Sequence, residues 1–422
     1  MEKFKEFQFP YGDKFLTARI PADNIAFVLE QKPAKGLKDE AAAIKKVLKN
    51  PIASPPLAGC LKKSHKVVVI VTDNTRPCPD DRILPPLLAE IETKLPRQNI
   101  TIIIALGLHA PLSKEEMAQK LGKDIVANYR VLNHDPKNTR KIGTTSRGIP
   151  VEVNELVLEA DFRIATGFIE PHFFAGFSGG CKSIMPGVSS EKAIFRNHGY
   201  EMLDHPRSRA GIIEGNPIHE DMIEHGKTAN LNFIVNVLLN EKHQITHVVA
   251  GDPVKAHEEG CRLECEFAGA KVNRKVDIVI TTNSGAPLDL DLYQTVKGID
   301  NASLITNKGG AIIIASACNR GAGPEAFTGM HFSCKTPEEV LLKAKNEGLH
   351  HLPWQNQRLA QVQQVNDIYL VSGLENSLVK KAMMAPAASI EAGLQKAFQK
   401  LGKNAGIAII PQGPMVLPLL QG

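Results

Sequence analysis

Short, nearly continuous runs of Val and Ile, each stopped by a polar residue or a glycine, dominate the pattern along the chain. They lie at Lys66–Asp73 (KVVVIVTD), Asn99–Leu106 (NITIIIAL), Asp161–Gly167 (DFRIATG), Val276–Thr282 (VDIVITT) and Gly310–Ser316 (GAIIIAS). A strand with one wet face alternates apolar and polar residues. These runs do not alternate, so they predict strands buried on both faces. Helical spacing fills most of the intervals. One helix is predicted over Ile83–Leu95. Another starts at Ser113, where Glu116 is placed to complete a capping box, and Thr336 with Glu339 repeats the device. Strands alternating with helices predict an α/β fold of mainly parallel sheets flanked by helices.

A chain of 422 residues is long enough for two or three domains, each with its own core. A boundary is expected at Val272–Arg274, after the helix-like Val254–Ala270 and before a fresh strand–helix series. This gives an N-terminal α/β domain over residues 1–272, a C-terminal α/β domain over 273–422, and an active site in the cleft between them. The tail Ala405–Gly422 is apolar and broken by Pro and Gly, and is expected to pack back on the first domain.

Composition then narrows the partners. The net charge of +5 is small for this length, the lysines are scattered, and aromatic residues are only 5%, so a nucleic-acid surface is not expected. No apolar run approaches the roughly 18 residues that cross a bilayer. The opening MEKFKEFQFPYGDKF has no apolar segment like that of a signal peptide. The seven cysteines are odd in number and contain no CxxC, which fits a reduced, cytoplasmic setting.

In open parallel sheets, ligands collect outside the carboxyl ends of the strands. That rule selects Asp73 and Arg76 after the first run and His109 after the second. It selects His172 and Lys182 after the third, and Tyr293, Gln294 and Lys297 after the fourth. Each has an ordinary reading: Asp73 as a turn cap, Arg76 as a solvated loop residue, the histidines as structural, Lys297 as a helix C-terminal cation. Together, an arginine, two lysines and two histidines at one set of strand ends suit an anionic substrate and proton transfer.

The segment Ile169–Gly187, IEPHFFAGFSGGCKSIMPG, looks at first like a phosphate loop. It fails that pattern because Cys181, not glycine, precedes Lys182; Gly226-Lys227-Thr228 fails because Asp221 stands where the first glycine is needed. The stretch Gly321–Ala326 lacks the last glycine of a dinucleotide fingerprint. In the loop itself, Gly176, Gly179 and Gly180 are expected to bring backbone N–H groups close to an anion. A desolvated Lys182 there would be nucleophilic. Cys181 is read as filling a small-residue site, and His134, His243, His350 and His351 as surface residues.

Five stretches together carry a family resemblance: TDNTRP (Thr72–Pro77), GLH (Gly107–His109), EPHFFAGFSGGCKSIMPG (Glu170–Gly187), NHG (Asn197–Gly199) and YQTVKG (Tyr293–Gly298). In this order they resemble the nickel-dependent lactate racemase family. The resemblance implies a racemase or epimerase, an isomerase acting at C2 of a 2-hydroxy acid, with lactate the default substrate. It implies a nickel-pincer nucleotide, a pyridinium bisthiocarboxylic acid mononucleotide, bonded covalently to Lys182, with nickel held by His198. It implies His109 and His172 as acid/base groups, Asp73, Gly179 and Gly180 around the cofactor, and Arg76, Tyr293, Gln294 and Lys297 around the substrate. Cofactor-synthesis enzymes are the implied protein partners. A non-catalytic cofactor carrier or nickel store is the alternative; it would need Lys182 and His198 but neither of the other two histidines. A zinc hydrolase is disfavoured by the lack of HExxH. Arg320 is a candidate extra cation for a dicarboxylate substrate.

Overall fold

The computed structural model describes residues 3–75, 77–347 and 353–421. The chain forms two compact α/β units. One comprises Pro33–His198 and His205–Phe267; the other takes the chain up to Lys32, Gly199–Asp204, and the chain from Ala268 onward.

The first unit is built on a six-stranded sheet. Its strand order is Ile245–Gly251, Phe233–Leu239, Phe162–Phe168, Val67–Thr72, Ile100–Ala105, Arg130–Asn133. All neighbours are parallel except the first pair. The doubly buried runs show their purpose in how their side chains divide. Val67, Val69 and Val71 pack into one core with Ile100, Ile102 and Ile104. Val68 and Ile70 pack into another, on the opposite face, with Ile103 and Ala165. Each such side chain taken from water contributes roughly 1.5–3 kcal/mol.

The second unit repeats the scheme with an all-parallel sheet in the order Ala385–Pro386, Asp367–Val371, Thr306–Ala315, Val276–Thr282, Ile407–Ile410, Ile25–Val28. Two expectations are corrected here. The N-terminal residues do not belong to the first unit. The hairpin of Phe4–Tyr11 and Lys14–Pro21 lays Phe9, Ala18 and Ile20 on the second sheet beside Ile390 and Leu394 of the helix Ile390–Leu401. The tail, too, belongs to the second unit. Ile407–Ile410 is an interior strand of the second sheet, and Leu417–Leu420 pairs in parallel with Gly269–Val272. Among the described residues the hairpin pairs only with itself and joins the second unit through its buried side chains, whereas Ile407–Ile410 is placed by backbone pairing on both sides.

The predicted helix near Ile83 runs over Asp80–Glu92, and Ser113 with Glu116 closes a complete capping box. Thr336 accepts from the Glu339 N–H, but the Glu339 carboxylate reaches the Lys335 N–H instead of closing a box. No described helix is long and apolar enough to cross a membrane.

Two buried features tie elements together. Asp80, fully buried in the first turn of its helix, accepts from Thr72 Oγ1 (2.8 Å) and Thr166 Oγ1 (2.6 Å) at the ends of two neighbouring strands. It also pairs with Lys120 Nζ at 3.1 Å. His134, expected at the surface, is buried; its Nε2 lies 3.0 Å from the Ser189 carbonyl and its Nδ1 accepts from Asn154 Nδ2 at 3.1 Å. Burial lowers it from 6.5 to about 4, against a smaller opposing effect of the Ser189 hydrogen bond. His331, buried in the second unit, is likewise lowered by burial to about 4. His243 is exposed, as expected; His350 and His351 lie outside the described residues.

Asp80→Ala removes the carboxylate that pairs with the buried Lys120 ammonium. The expected loss is about 3–5 kcal/mol, read from the urea-unfolding midpoint. The buried histidines set a pH dependence. Their folded pKa values lie below the unfolded one, so the unfolded chain binds more protons between about pH 6.5 and pH 4. Stability should therefore be full above pH 6.5 and fall below it, by up to roughly 1.4 kcal/mol per pH unit for each such histidine. A midpoint that stays level between pH 7 and pH 5 would contradict their neutral, buried state.

Candidate active site

The strand Val67–Thr72 ends at Asp73, and the chain after Ile100–Ala105 reaches His109 within one turn closed by His109 N–H donating to the Leu106 carbonyl at 2.9 Å. Adjacent parallel strands thus bring two residues 36 apart into contact: His109 Nδ1 lies 2.5 Å from Asp73 Oδ2. The carboxylate is 4% exposed and the imidazole 53%. Asp73 Oδ1 accepts from Thr75 Oγ1 at 2.8 Å, so both carboxylate oxygens are held. An acceptor at Nδ1 fixes the neutral ring with its proton there, leaving Nε2 as the basic nitrogen.

The third strand, Phe162–Phe168, leads into the glycine-rich segment. Pro171–His172 and Gly176–Phe177 form a tight antiparallel pair. Gly176 has φ +80°, and a Cβ there would lie 2.3 Å from the Ile212 carbonyl oxygen, so only glycine fits. His172 is buried; its Nδ1 accepts from the Ala175 N–H at 3.3 Å, which places the proton of the neutral ring on Nε2. His109 and His172 therefore differ at Nε2: one carries a lone pair, the other a proton.

Phe174 lies edge-on to both His172 (centroids 4.6 Å apart) and His198 (4.9 Å). Lys182, half-buried in the short turn Gly180–Ser183, is close enough for its charge to act on His198. Burial first, and then that charge, lower His198 from 6.5 to about 3. Both effects favour the neutral imidazole, the form in which histidine binds metals. Its Nδ1 lies 2.8 Å from Asn197 Oδ1, an acceptor, so the lone pair is on Nε2. Among the described residues no group of three or more His, Cys, Asp or Glu side chains could hold a metal ion. A metal bound at His198 therefore needs most of its ligands from a cofactor, and the residues present fit a pincer-type group that brings its own donors.

Gly180 serves a purpose different from the one expected of it. The Gly180 N–H is committed to Asn236 Oδ1 at 2.8 Å, so it is not an anion donor. A Cβ at Gly180, where φ is +57°, would lie 2.7 Å from the His257 ring. Gly180 is glycine so that this histidine can pack against the loop. His257 in turn lies 2.8 Å from the Ser178 carbonyl through Nε2 and stacks on His219 at 5.5 Å. His219 is lowered to about 3, by burial and then by His257. Cys181 is buried against Gly226, where a Cβ would meet its sulfur at 2.5 Å; burial, with Asp252 as a smaller contribution, pushes the thiol up to about 12.

Asp73, His109, His172, Gly179, Gly180, Lys182 and His198 all lie in the first unit. Tyr293, Gln294 and Lys297 lie in the second, on the first turns of the helix Leu292–Ser303, whose N-terminus is capped by Asp291 accepting from the Gln294 N–H. All three are half-buried, and Tyr293 packs edge-on to Phe327 at 5.5 Å. Arg320 is exposed. Arg76 lies outside the described residues. Sequence reasoning missed Asn197, Asp221, Asn236, His219 and His257. Asn236 had left a signal, as the one polar residue in the strand run FIVNVLL; isolated histidines on helices gave none.

Residues 11–211 match the family model described as the lactate racemase N-terminal domain, and residues 272–417 the lactate racemase C-terminal domain. The lactate racemase of Thermoanaerobacterium thermosaccharolyticum is 39% identical over 420 residues, 97% of this chain and 98% of that protein. That of Lactiplantibacillus plantarum is 36% identical over 413 residues, 96% and 97% of the two chains. The solved lactate racemase apoprotein from T. thermosaccharolyticum superposes with a TM-score of 0.93 at 37% identity, covering 98% of this chain and all of that one. A Thermotoga maritima protein shares the fold at 21% identity and a TM-score of 0.67, over 92% of this chain and all of its own. Similarity of this extent and identity, in both sequence and structure, makes this chain a member of the lactate racemase family.

Proposed function

We propose that this protein is a racemase, inverting C2 of a 2-hydroxy acid of which lactate is the first candidate, with a nickel-pincer nucleotide attached at Lys182 and its nickel held by His198. The observation that carries this reading is the donor arrangement around His198. A single neutral, buried imidazole with its lone pair on Nε2 lies within reach of the Lys182 charge, and the described residues offer no further cluster of metal ligands. The 36–39% identity to proteins named lactate racemase supports the substrate class.

When bound, the nickel-pincer nucleotide supplies an electron-poor centre able to take a hydride from C2 and return it. The chain's own residues handle the proton. His109, its Nδ1 held by Asp73, offers the Nε2 lone pair to the substrate hydroxyl; His172 is assigned the acid role, giving up its Nε2 proton from the imidazolium form, since loss of that proton from the neutral ring would leave an imidazolate. Exchange of these states lets one histidine serve each direction of the reaction. Asp73 keeps His109 oriented and stabilises the imidazolium formed when it takes the proton. Arg76, Tyr293, Gln294 and Lys297 are assigned to the substrate carboxylate and its surroundings; an arginine can bind such a group with two parallel hydrogen bonds. Gly179 and Gly180 shape the turn that carries Lys182. The cytoplasm is the proposed location, where cofactor-synthesis enzymes would load the protein.

Intact mass of the protein produced alongside cofactor-synthesis enzymes should rise by one cofactor, and Lys182→Ala should abolish the rise; an adduct retained by the variant would refute the attachment site. In loaded protein, His109→Ala and His172→Ala should keep the cofactor and lose about 10²–10⁴-fold in racemisation of D- or L-lactate, followed by polarimetry or exchange of the C2 hydrogen. Full activity in either variant would remove that residue from the proton chemistry.

A further inference from the structure

Behind His198 runs a chain of side chains that the proposed chemistry has not used. His198 follows the last residue of the helix Glu191–Asn197, and its Nδ1 meets Asn197 Oδ1 at 2.8 Å. Asn197 Nδ2 donates to Asp221 Oδ2 at 2.7 Å and toward the Ile218 carbonyl at 3.4 Å. Asp221 Oδ2 lies 3.2 Å from Nδ1 of His225, one helical turn further along the helix Pro217–Thr228. His225 Nδ1 is also 2.9 Å from the Asp221 carbonyl, and its Nε2 faces the Pro150 carbonyl at 3.4 Å. Asn197, Asp221 and His225 are all fully buried, so water does not compete for these bonds.

The direction of every bond follows from one end. A carboxylate and a peptide carbonyl can only accept, so the Asn197 amide must turn its nitrogen toward Asp221 and Ile218. Its oxygen then has to face His198, and an oxygen acceptor there requires Nδ1 of His198 to carry the proton. Nε2 is left with the lone pair. An acceptor two side chains away thus decides which nitrogen of His198 can bind a metal. The neutral amide does this without placing a full negative charge against the ring. Asp73, by contrast, sets a carboxylate directly against the His109 ring. A histidine that moves protons gains from such a contact, whereas a metal ligand must stay neutral.

We propose that Asn197 and Asp221 are positioning residues that lock His198 in its Nδ1–H tautomer and so present Nε2 to nickel. The tautomer itself is a property of the cofactor-free protein; its consequence for nickel rests on the proposed role of His198 as metal donor.

The test begins on the full-length, cofactor-free protein labelled with ¹⁵N-histidine, with the His198 signals identified by their loss in His198→Gln. Long-range ¹H–¹⁵N correlation should show a protonated Nδ1 and a bare Nε2 for His198. A protonated Nε2 in the wild type would overturn the proposal, and this measurement needs no further variant to fold. Asn197→Leu and Asp221→Leu should mix the tautomers; an unchanged Nδ1–H form in both would assign the lock to something else. In loaded protein, Asn197→Leu should lose nickel to a chelator about 10–100-fold faster than wild type. Loss at the wild-type rate, with the tautomers mixed, would overturn the positioning role. Unchanged nickel retention in His198→Gln would instead overturn the metal-donor reading and the positioning role with it, while the cofactor-free spectra report the tautomer regardless.

Discussion

A hydrogen bond inside a protein has a direction, and when every partner is buried that direction cannot be reversed locally. Asp221 accepts, Asn197 relays, and His198 is left with one protonation pattern. The same constraint acts elsewhere in the unit. Asn236 accepts from the Gly180 N–H, the Ser178 carbonyl takes His257 Nε2, and the Ala175 N–H sets the proton position on His172. Buried polar groups left unpaired cost about 1–3 kcal/mol each, which favours the arrangement that pairs these groups around Lys182. The reactivity assigned to each histidine is downstream of that arrangement.

Three histidines in one unit are thereby differentiated without any change of residue type. His109 has a direct carboxylate partner and an exposed ring, which suits taking up a proton. His172 has a backbone donor at Nδ1, which puts the proton of its neutral ring on Nε2. His198 has a neutral amide partner, deep burial and a neighbouring lysine charge, which keep it uncharged. The environment, more than the imidazole, assigns the task.

The strands were legible because burial on both faces imposes a run of branched apolar residues that little else produces. Their ends were legible for the complementary reason, since polar residues reappear where the sheet stops. Less legible were the segments whose place depends on a distant partner. The hairpin Phe4–Tyr11/Lys14–Pro21 pairs locally but is placed by packing Phe9, Ala18 and Ile20 against residues from Ile278 onward, and the strand Ile407–Ile410 is placed by pairing with Ile25–Val28 and Val276–Thr282. His134 looked like a loop histidine because neither the Ser189 carbonyl nor Asn154, its partners, is adjacent in sequence.

The glycine-rich segment shows most clearly where the two sources of information divide. The sequence by itself determined that a small-residue turn ends in Lys182, that it is neither a Walker loop nor a dinucleotide loop, and that it follows a buried strand. It also determined the set of charged and imidazole side chains at the strand ends. Tertiary structure alone decided why Gly176 and Gly180 must be glycine: the Ile212 carbonyl and the His257 ring occupy the space a Cβ would take. It alone decided which nitrogen of each histidine carries the proton. Residue type and spacing are local and can be read along the chain. Steric exclusion and hydrogen-bond direction depend on atoms that folding brings together from far apart, and no single stretch contains them.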